Sequence, residues 1–367
     1  MRIAYLFNSS TPSSNPSSIQ VVNTCSALTQ LSHSVKLIVP NTGQKFSLTK
    51  FYGIKKSPKL IKLKYFNKFP IGISYYLFSF LSITYAIFDK TELYITRNIF
   101  NLILLNILKK KTIIEIHHDF HNEGRIVKFF CKYTNVFDNK NIVKIIAITN
   151  AVKKYLVKNF KIDATKIEVI SSASSLKFKF SKLKKKNSYN IGYFGSLDAS
   201  KGVNFIIKLA KKDKFNKYYI YGGSQKDVSV LKKSKIPNNL EINQSIQYGR
   251  IKPIISKMDI LLMPSNTKKI RSIGKIGNIV KFTSPLKLFD YLASGKLIIS
   301  SNVTVFKEIL SDGKNCLLLN NFNINNWIKK INKVKIETSK LNKIKKNAFN
   351  LSKEHTYLKR AKRILDF

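Results

Sequence analysis

Apolar residues along the chain form two kinds of run, and their alternation predicts strands and helices in turn. Residues 3–7 and 35–39 are short apolar runs of the kind found in strands buried on both faces of a parallel sheet. Between them, a loop rich in Ser and Pro precedes residues 19–31, where apolar positions recur at helical spacing. The pattern therefore predicts an α/β fold that opens with a strand, a helix and a second strand.

The same alternation continues through the chain and restarts once near its middle. Further strands of the first half are predicted at residues 92–96, 112–116 and 144–149. Residues 179–190 are polar, basic and without periodicity, which is typical of a linker, and IGYFGSLDASKG then begins a new strand-and-helix unit. We therefore predict a first domain at residues 1–180, a second domain at 190–345 and a terminal helix at 346–367.

Residues 283–300, TSPLKLFDYLASGKLIIS, carry the densest set of local signals. Ser284 is a typical N-cap, Pro285 is tolerated as the first helical residue, and a glycine is placed to end the helix before an apolar strand. The first turn of such a helix has unpaired backbone N–H groups and the positive end of the helix dipole. With Lys287 in that turn and Asp290 one turn later, the segment predicts a phosphate-binding site beside a carboxylate.

Histidines follow one of the predicted strands, at the end where open α/β sheets bind their ligands. The strand at 112–116 delivers His117 and His118 at its carboxyl end. A neutral imidazole there can hydrogen-bond a ligand or assist catalysis. With His121 nearby, a zinc site is an alternative, although no Cys or matched pair of carboxylates accompanies these histidines.

The second domain has glycines and cations at comparable places. Gly195 ends its first strand, Ser196 follows it, and Lys201 precedes the next helix. Gly222 follows the next strand, where the absence of a side chain permits a nucleotide base to approach closely. Arg271 lies in a basic, irregular stretch directly before the Ser-Pro helix, and such a stretch can close over phosphate.

These segments together resemble family 4 of the retaining glycosyltransferases. SPLKLFDYLASGKLIISSN resembles the donor-binding segment of that family, EIHHD resembles its histidine segment, and IGYFGSLDASKG resembles its glycine loop. The resemblance implies an α/β fold of the GT-B type, with two Rossmann-like domains facing across a cleft and a terminal helix that crosses back to the first domain. The sequence departs from the family at Phe282, where a Glu that contacts the sugar is common.

The resemblance also implies roles for the matched residues. His117, with His118 beside it, would approach the transferred sugar, and Asp290 takes the place of a Glu that hydrogen-bonds the ribose. The donor diphosphate would be held by the glycine loop and the start of the Ser-Pro helix, namely by Gly195, Ser196, Lys201, Ser284, Pro285, Leu286 and Lys287. Gly222 and Arg271 complete the predicted donor site. We expect no metal ion, because lysines and a helix N-terminus stabilise the departing diphosphate, and no cofactor, because the nucleotide sugar is itself a substrate.

Composition adds a large excess of positive charge. Lys and Arg number 66 against 19 Asp and Glu, a formal net charge of +47, which implies anionic partners such as a sugar nucleotide or an anionic lipid. Nucleic acid would also satisfy this charge, but the intact Ser-Pro segment argues against it as the partner. The chain is rich in Lys, Asn and Ile together, which also fits an AT-rich coding sequence with much of its charge on solvated faces.

Two segments and the cysteines bear on cellular location. Residues 45–68 combine eight lysines with aromatic residues and no acidic residue, which predicts an acceptor or membrane face of the first domain. Residues 70–88 are uncharged and of borderline length for a membrane span, but their Ser, Thr and Tyr content favours a core or interfacial helix. Three scattered cysteines and the lack of a secretory signal pattern predict a cytoplasmic protein, peripheral at the inner face of the cytoplasmic membrane.

The sequence thus predicts a glycosyltransferase that moves a sugar from a nucleotide-diphosphate sugar to a carbohydrate or lipid-linked acceptor, in cell-envelope polysaccharide or glycolipid synthesis. Two alternatives stay open. One is a sugar-nucleotide epimerase or hydrolase on the same fold, which would need no acceptor. The other is a basic protein that binds nucleic acid or a membrane surface and has a decayed donor site, for which Phe282 is the main support.

Overall fold

The computed structural model describes residues 1–43, 46–66, 69–120, 124–233, 235–271, 277–320 and 322–367. These residues form two compact units, which we call the first domain (Met1–Ser172 with Tyr357–Phe367) and the second domain (Ala173–Thr356). The sequence pattern predicts a domain boundary at 180–190 and a terminal helix at 346–367. The linker residues belong to the second domain because Leu183 and Tyr189 are buried in its core.

Each domain is built on one parallel sheet. The strands are β1 (Arg2–Leu6), β2 (Ser34–Pro40), β3 (Lys59–Leu63), β4 (Leu93–Thr96), β5 (Thr112–Ile116), β6 (Ile142–Ala147), β7 (Ile167–Val169), β8 (Asn190–Phe194), β9 (Lys217–Tyr221), β10 (Leu240–Asn243), β11 (Ile260–Met263), β12 (Leu297–Ser301) and β13 (Leu317–Leu319). Within the described residues, the first sheet has the order β3-β2-β1-β4-β5-β6-β7 and the second β10-β9-β8-β11-β12-β13. Every residue of β5, β11 and β12 is buried, which explains their continuous apolar runs.

Helices connect consecutive strands in both domains. They are α1 (Pro16–Gln30), α2 (Leu48–Tyr52), α3 (Ile71–Phe88), α4 (Ile99–Ile107), α5 (Arg125–Tyr133), α6 (Asn150–Phe160), α7 (Val203–Lys212), α8 (Gln225–Lys232), α9 (Ile251–Ser256), α10 (Leu286–Ser294), α11 (Ile324–Asn332), α12 (Thr338–Ser352) and α13 (Tyr357–Leu365). Helix α13 belongs to the first domain, where it packs on α1.

Strand order reverses once in each sheet. Strand β1 pairs with β2 on one side and β4 on the other, and β8 pairs with β9 and β11 in the same way. The carboxyl end of the strand at such a reversal opens a crevice between the loops that leave in opposite directions, and ligands of open α/β sheets bind there. The fold alone therefore singles out the residues that follow β8 in the second domain.

The described residues of two segments for which a membrane role was considered belong to the first domain. Helix α3 covers most of the uncharged segment 70–88 and packs on β1, β2, β3 and α4. Among the described residues, no helix is both long and apolar enough to cross a membrane. In the basic segment, the Lys62 and Lys64 ammonium groups lie over the rings of Phe46 and Phe66.

A buried ion pair fixes α13 to the first domain. Arg360 donates a hydrogen bond to Glu115 at 2.9 Å, and the two side chains are 2% and 1% exposed. Arg360 also donates to the Ser171 carbonyl and the Thr24 hydroxyl. Burial alone would raise the pKa of Glu115, but Arg360 and His117 outweigh it and hold that pKa well below its ordinary value. Glu115 is therefore ionised and depends on Arg360 for charge balance.

Replacing Arg360 by Leu should leave Glu115 in the core without its ion-pair partner, and we expect the free energy of unfolding to fall by about 3–5 kcal/mol. The loss should be smaller at pH 5 than at pH 8, because without Arg360 the carboxyl group takes up a proton more easily. The matched control is Arg363→Leu on the same helix, whose ion pair with Glu168 is 52% and 32% exposed. That change should cost no more than about 1 kcal/mol. Urea unfolding measures both variants, and equal losses would contradict the role of the buried pair.

Candidate functional site

Gly195 lies directly after β8, at the point where strand order reverses. The backbone N–H of Gly195 donates to the Tyr221 carbonyl at 3.0 Å, so the ends of β8 and β9 are held together. A Cβ atom at Gly222, the residue after β9, would lie 1.6 Å from the Gly195 carbonyl oxygen. The backbone segments at the two predicted glycines are therefore in close contact, and Gly222 has no room for a side chain.

The turn that carries Lys201 is fixed by Asp198, a residue that the sequence analysis did not single out. The Asp198 carboxylate accepts a hydrogen bond from the Ser200 backbone at 2.8 Å and a short one from the Ser200 hydroxyl. This aspartate caps a single 3₁₀ turn that ends at Lys201 and Gly202. Gly202 has a φ of 79°, and a Cβ atom there would lie 2.0 Å from the Pro264 carbonyl oxygen. Local capping and close packing thus position Lys201 beside the loop that follows β11.

Helix α10 begins one residue later than the sequence predicts. Pro285 has extended backbone angles (φ −71°, ψ 127°) and occupies the N-cap position, so Leu286 is the first helical residue and Ser284 lies outside the helix. The Pro285 carbonyl accepts the first helical bond, from Leu288, at 3.0 Å. The end of the helix is as predicted, because Gly295 takes the left-handed C-cap conformation with a φ of 61°.

Lys287 lies in the first turn of α10, and its ammonium group is buried beside the ring of Tyr193. Its ammonium group is inaccessible to solvent and makes no hydrogen bond or ion pair with any described residue. It lies 4.3 Å from the ring centroid of Tyr193, and a Cβ atom on Gly195 would lie 3.4 Å from it. Burial, followed by the nearby positive charge of Lys201, lowers the pKa of Lys287 well below its ordinary value. Such a site favours an anion that restores the charge and accepts hydrogen bonds.

One more unsatisfied group and a second lysine lie near the same place. The Ser196 hydroxyl is buried without a hydrogen-bond partner among the described residues, although the Ser196 carbonyl accepts a bond from Tyr193 at 2.9 Å. Burial also lowers the pKa of Lys201, which Asp198 opposes. Buried polar groups are ordinarily paired, so a hydroxyl and an ammonium left open at a strand reversal indicate a ligand site. The donors and charges favour a phosphate-bearing ligand.

The other predicted donor-site residues are distributed around this centre. Arg271 is exposed, and its backbone N–H donates to the Ser200 hydroxyl at 3.0 Å. Lys275, a further cation of the basic stretch, lies outside the described residues. Phe282 lies in the turn before α10, where its backbone N–H donates to the Ile279 carbonyl at 3.1 Å.

Asp290 is buried one turn after Lys287 and is engaged by the protein itself. One of its carboxylate oxygens, Oδ1, accepts hydrogen bonds from the Ser174 hydroxyl at 2.6 Å and from the Tyr248 hydroxyl at 2.8 Å. Burial raises the pKa of Asp290 to about 6, and the two hydrogen bonds oppose that rise. The carboxylate thus ties α10 to the start of the second domain, and its contact with a ribose stays a prediction.

In the first domain, His117 follows β5 and is held by the same Glu115 that binds Arg360. The His117 Nε2 atom lies 3.3 Å from the Glu115 Oε2 atom. Because Glu115 is ionised, Nε2 carries the proton and Nδ1 is left as a hydrogen-bond acceptor. Burial and the positive charge of Arg97 lower the pKa of His117 to about 3, although Glu115 raises it. His117 is therefore a neutral imidazole of fixed tautomer at physiological pH.

His118 has a different environment from its neighbour. Its side chain is exposed, and its Nδ1 atom lies 2.6 Å from the Asp119 carbonyl oxygen, which makes Nδ1 the donor. His121, the third member of the zinc alternative, lies outside the described residues. Of the two predicted catalytic histidines, His117 is the one whose ring and protonation are fixed by the fold.

Four polar residues of these sites were missed by the sequence analysis. They are Asp198, Tyr193, Glu115 and Arg360. A signal existed for two of them. Asp-x-Ser before Lys-Gly is typical of a side-chain-capped turn, and a single Glu inside the apolar strand TIIEI is a charge that needs a buried partner. No local pattern indicates the ring beneath Lys287 or the guanidinium that pairs with Glu115.

Comparison with known proteins agrees with this fold and these motifs. Residues 174–351 match the family model described as glycosyl transferases group 1. Anabaena Alr3699/HepE in complex with UDP-glucose is similar in structure, with 14% identity, coverage of 99% of this chain and 98% of that chain, and a TM-score of 0.70. A glycosyltransferase from Rickettsia africae has 17% identity, 100% and 98% coverage and a TM-score of 0.70. Sucrose-phosphate synthase from Thermosynechococcus elongatus has 12% identity, 99% and 97% coverage and a TM-score of 0.71. No curated protein matches the chain by sequence.

The comparisons confirm the predicted GT-B fold, and the family-model match agrees with a resemblance to glycosyltransferases. The solved structures share the GT-B architecture of two Rossmann-like domains, and at identities this low they bear on fold alone. The family model covers the segment that contains all the predicted donor-site residues, from Gly195 to Asp290. Neither the epimerase alternative nor the basic binding protein is favoured by this match.

The fixed tautomer of His117 can be tested by its titration. With a pKa of about 3, its imidazole should stay neutral between pH 5 and pH 8, with the proton on Nε2. Nitrogen-15 NMR of the labelled imidazoles measures this, and the His117→Gln variant assigns the signal. A midpoint near 6.5, the ordinary value for histidine, would contradict the buried environment described here.

Proposed function

We propose that the chain, whose residues 174–351 match the model of group 1 glycosyl transferases, transfers a sugar from a nucleotide-diphosphate sugar to a carbohydrate or lipid-linked acceptor. The donor diphosphate binds after β8 and at the start of α10. Gly195, Ser196, Lys201 and Lys287 hold it, with Arg271 as a further cation. The acceptor binds the first domain, in the synthesis of a cell-envelope polysaccharide or glycolipid.

The buried ammonium group of Lys287 is the observation that carries this proposal. A charge that lacks both solvent and a counterion costs free energy in the empty protein, and a bound diphosphate removes that cost by pairing with it. The charge on the diphosphate grows further as the bond to the sugar breaks. Lys287, Lys201 and the positive end of α10 are fixed in place before this happens, so they stabilise the transition state without reorganising.

The proposal includes retention of the anomeric configuration and transfer without a metal ion or cofactor. The lysines and the helix N-terminus supply positive charge where the leaving diphosphate needs it. His117 contacts the transferred sugar as a neutral hydrogen-bond acceptor through Nδ1, because Glu115 holds the proton on Nε2. Asp290 contacts the ribose of the nucleotide. Position 282 is a phenylalanine, Phe282, and offers no carboxylate to the sugar. Other groups of the site therefore determine which sugar is bound.

We place this reaction in the cytoplasm, where nucleotide sugars are made, at an anionic membrane surface that presents the lipid-linked acceptor. The formal net charge of +47 supports attraction to such a surface. Nucleic acid is not a partner in this proposal. An epimerase or hydrolase would consume the donor without an acceptor, so acceptor dependence of sugar consumption separates these reactions.

Lys287→Met should separate binding from stability. In the empty protein the change removes an unpaired buried donor, and we expect the free energy of unfolding to rise by about 1–3 kcal/mol. Donor affinity should fall by about ten- to a hundredfold, because a charged hydrogen bond is lost. Thermal shift with a panel of UDP-, GDP- and ADP-sugars measures both effects. A donor at a hundred times its dissociation constant stabilises the wild-type protein by about 2.7 kcal/mol.

The matched control is Lys226→Met on α8, an exposed lysine of the same domain. It should change neither the stability nor the donor affinity by a measurable amount. In the wild type, donor affinity should also fall as the pH rises through the lowered pKa of Lys287, because the diphosphate binds the protonated form. If no sugar nucleotide stabilises the wild type, or if Lys287→Met keeps full affinity, the proposed donor site is wrong.

Ser196→Ala tests the second unsatisfied group. The variant should bind the donor about tenfold more weakly, because the diphosphate loses one hydrogen bond. Its stability without donor should be unchanged or slightly higher, since the hydroxyl has no partner among the described residues to lose. Calorimetric titration gives the affinity and urea unfolding the stability. A marked loss of stability without donor would instead assign the hydroxyl a structural role.

A further inference from the structure

Helix α5 of the first domain exposes an apolar ridge to solvent. It runs over nine residues, Arg125–Tyr133, and packs on the domain chiefly through Val127, which is 1% exposed. By contrast, Ile126, Phe129 and Tyr133 are 46%, 57% and 64% exposed. Their spacing of three and four residues places them in one row along the helix. Large apolar side chains in a row are normally buried, so this exposed row indicates a surface that binds a partner.

Helix α7 of the second domain shows what a covered helix of this kind looks like. It too is strongly amphipathic and ends in lysines, but Val203, Phe205 and Leu209 on its apolar face are all buried. Both helices are amphipathic and end in basic residues. They differ in how much of the apolar face the rest of the domain covers. In α5 the domain covers only one side of the apolar arc and leaves the other side open.

The apolar ridge continues onto α3. The Tyr76 hydroxyl lies 2.6 Å from the position that a Cβ atom would take on Gly124, the N-cap of α5, so the two helices meet there. On the same helix as Tyr76, Ile73 and Phe80 are 49% and 51% exposed. They lie three or four residues from Tyr76 and therefore on the same face of α3. We call Ile73, Phe80, Ile126, Phe129 and Tyr133 the apolar ridge.

A row of positive charges runs alongside the ridge. Arg125, Lys128 and Lys132 follow the same helical spacing on α5, and all three are exposed. The helix contains no acidic residue. The Lys132 ammonium lies 4.9 Å from the centroid of the Tyr133 ring, so the charged and apolar rows touch. Apolar side chains that can enter a hydrocarbon layer, beside cations at the level of phosphate groups, are the pattern of a helix that lies in a membrane interface.

We propose that α5, together with the exposed face of α3, docks on the surface of an anionic lipid bilayer. The inference deepens the proposed function, because it rests on a lipid-linked acceptor and names the surface that meets the membrane carrying it. The two helices lie in the interface and do not span it. Helix α5 follows β5 along the chain, so the proposed docking surface belongs to the same strand–helix unit as His117.

Other occupants of the ridge fit the observations less well. A second copy of the chain would bring two rows of cations together, on proteins that each carry a formal charge of +47. Nucleic acid would pair with the cations but would leave Ile126 and Ile73 without a partner, since bases stack on aromatic rings. An anionic bilayer satisfies both rows at once.

The experiment is sedimentation of the full chain with vesicles of phosphatidylcholine alone or with one third phosphatidylglycerol. We expect binding to the anionic vesicles only, weakened as NaCl rises from about 0.1 M to about 1 M. Lys128→Gln with Lys132→Gln should weaken binding about 25-fold, since each cation near such a surface contributes about fivefold. Phe129→Ser with Tyr133→Ser should weaken it about tenfold or more at either salt concentration, because these residues act through apolar burial.

Matched controls come from exposed residues of the second domain. Phe215→Ser removes an aromatic ring that is 73% exposed and lies under Lys335, as Tyr133 lies under Lys132. Lys211→Gln with Lys212→Gln removes two adjacent basic residues at the end of α7. Neither control should weaken binding more than about twofold, and circular dichroism melting should show all variants folded. Equal losses in controls and α5 variants, or no binding to anionic vesicles, would overturn the proposal.

Two further measurements separate this inference from its rivals and from the proposed function. Light scattering at rising protein concentration reports self-association, and a dimer abolished by the Phe129 and Tyr133 changes would overturn lipid docking in favour of a second copy. Oligonucleotide binding that depends on Lys128 but not on Phe129, without vesicle binding, would assign the surface to nucleic acid. Donor binding by thermal shift should be unchanged in the α5 variants. Vesicle binding without donor binding would contradict the proposed function and support the docking surface. Donor binding without vesicle binding would support the proposed function and contradict the docking surface.

Discussion

An ammonium group kept inside a protein with neither water nor a counterion is the constraint around which the second domain is arranged. Lys287 is held there because it occupies the first turn of α10, which is packed tightly against the end of β8. The nearby glycines remove side chains that would otherwise fill the space, and Asp198 fixes the turn that brings Lys201 close. Burial without a counterion therefore disfavours the charged form of Lys287, and a bound anion would restore it.

Much of the fold could be predicted from the sequence, because parallel strands buried on both faces must be continuous apolar runs. The strands that end at Ile116 and Phe194 were located in this way, and the left-handed conformation at the end of α10 followed from Gly295. The linker was misplaced for an equally physical reason. Leu183 and Tyr189 are separated by lysines and show no periodicity, yet both are buried by a core that lies elsewhere in the sequence.

The site was predictable only as far as its backbone signals extend. A proline and a glycine bracket α10, and a strand end presents His117, so the positions of these residues could be inferred locally. The protonation states and the burial of these side chains could not be inferred locally. The neutral ring of His117 depends on Glu115, and the ionised Glu115 depends on Arg360, which lies 245 residues away along the chain. Likewise, the burial of Lys287 is a property of packing against Tyr193, and no spacing within α10 reveals it.

The return of α13 to the first domain also has a consequence for synthesis. A ribosome that has produced the first sheet and its connecting helices has produced Glu115 without the guanidinium that neutralises it. Until the last helix emerges, that carboxylate must be hydrated or protonated, and the nascent half-protein cannot close its interior around it. The tautomer of the neighbouring His117 depends on the same carboxylate, so a polypeptide interrupted before α13 would contain every described strand of both sheets and still lack the guanidinium that keeps Glu115 ionised.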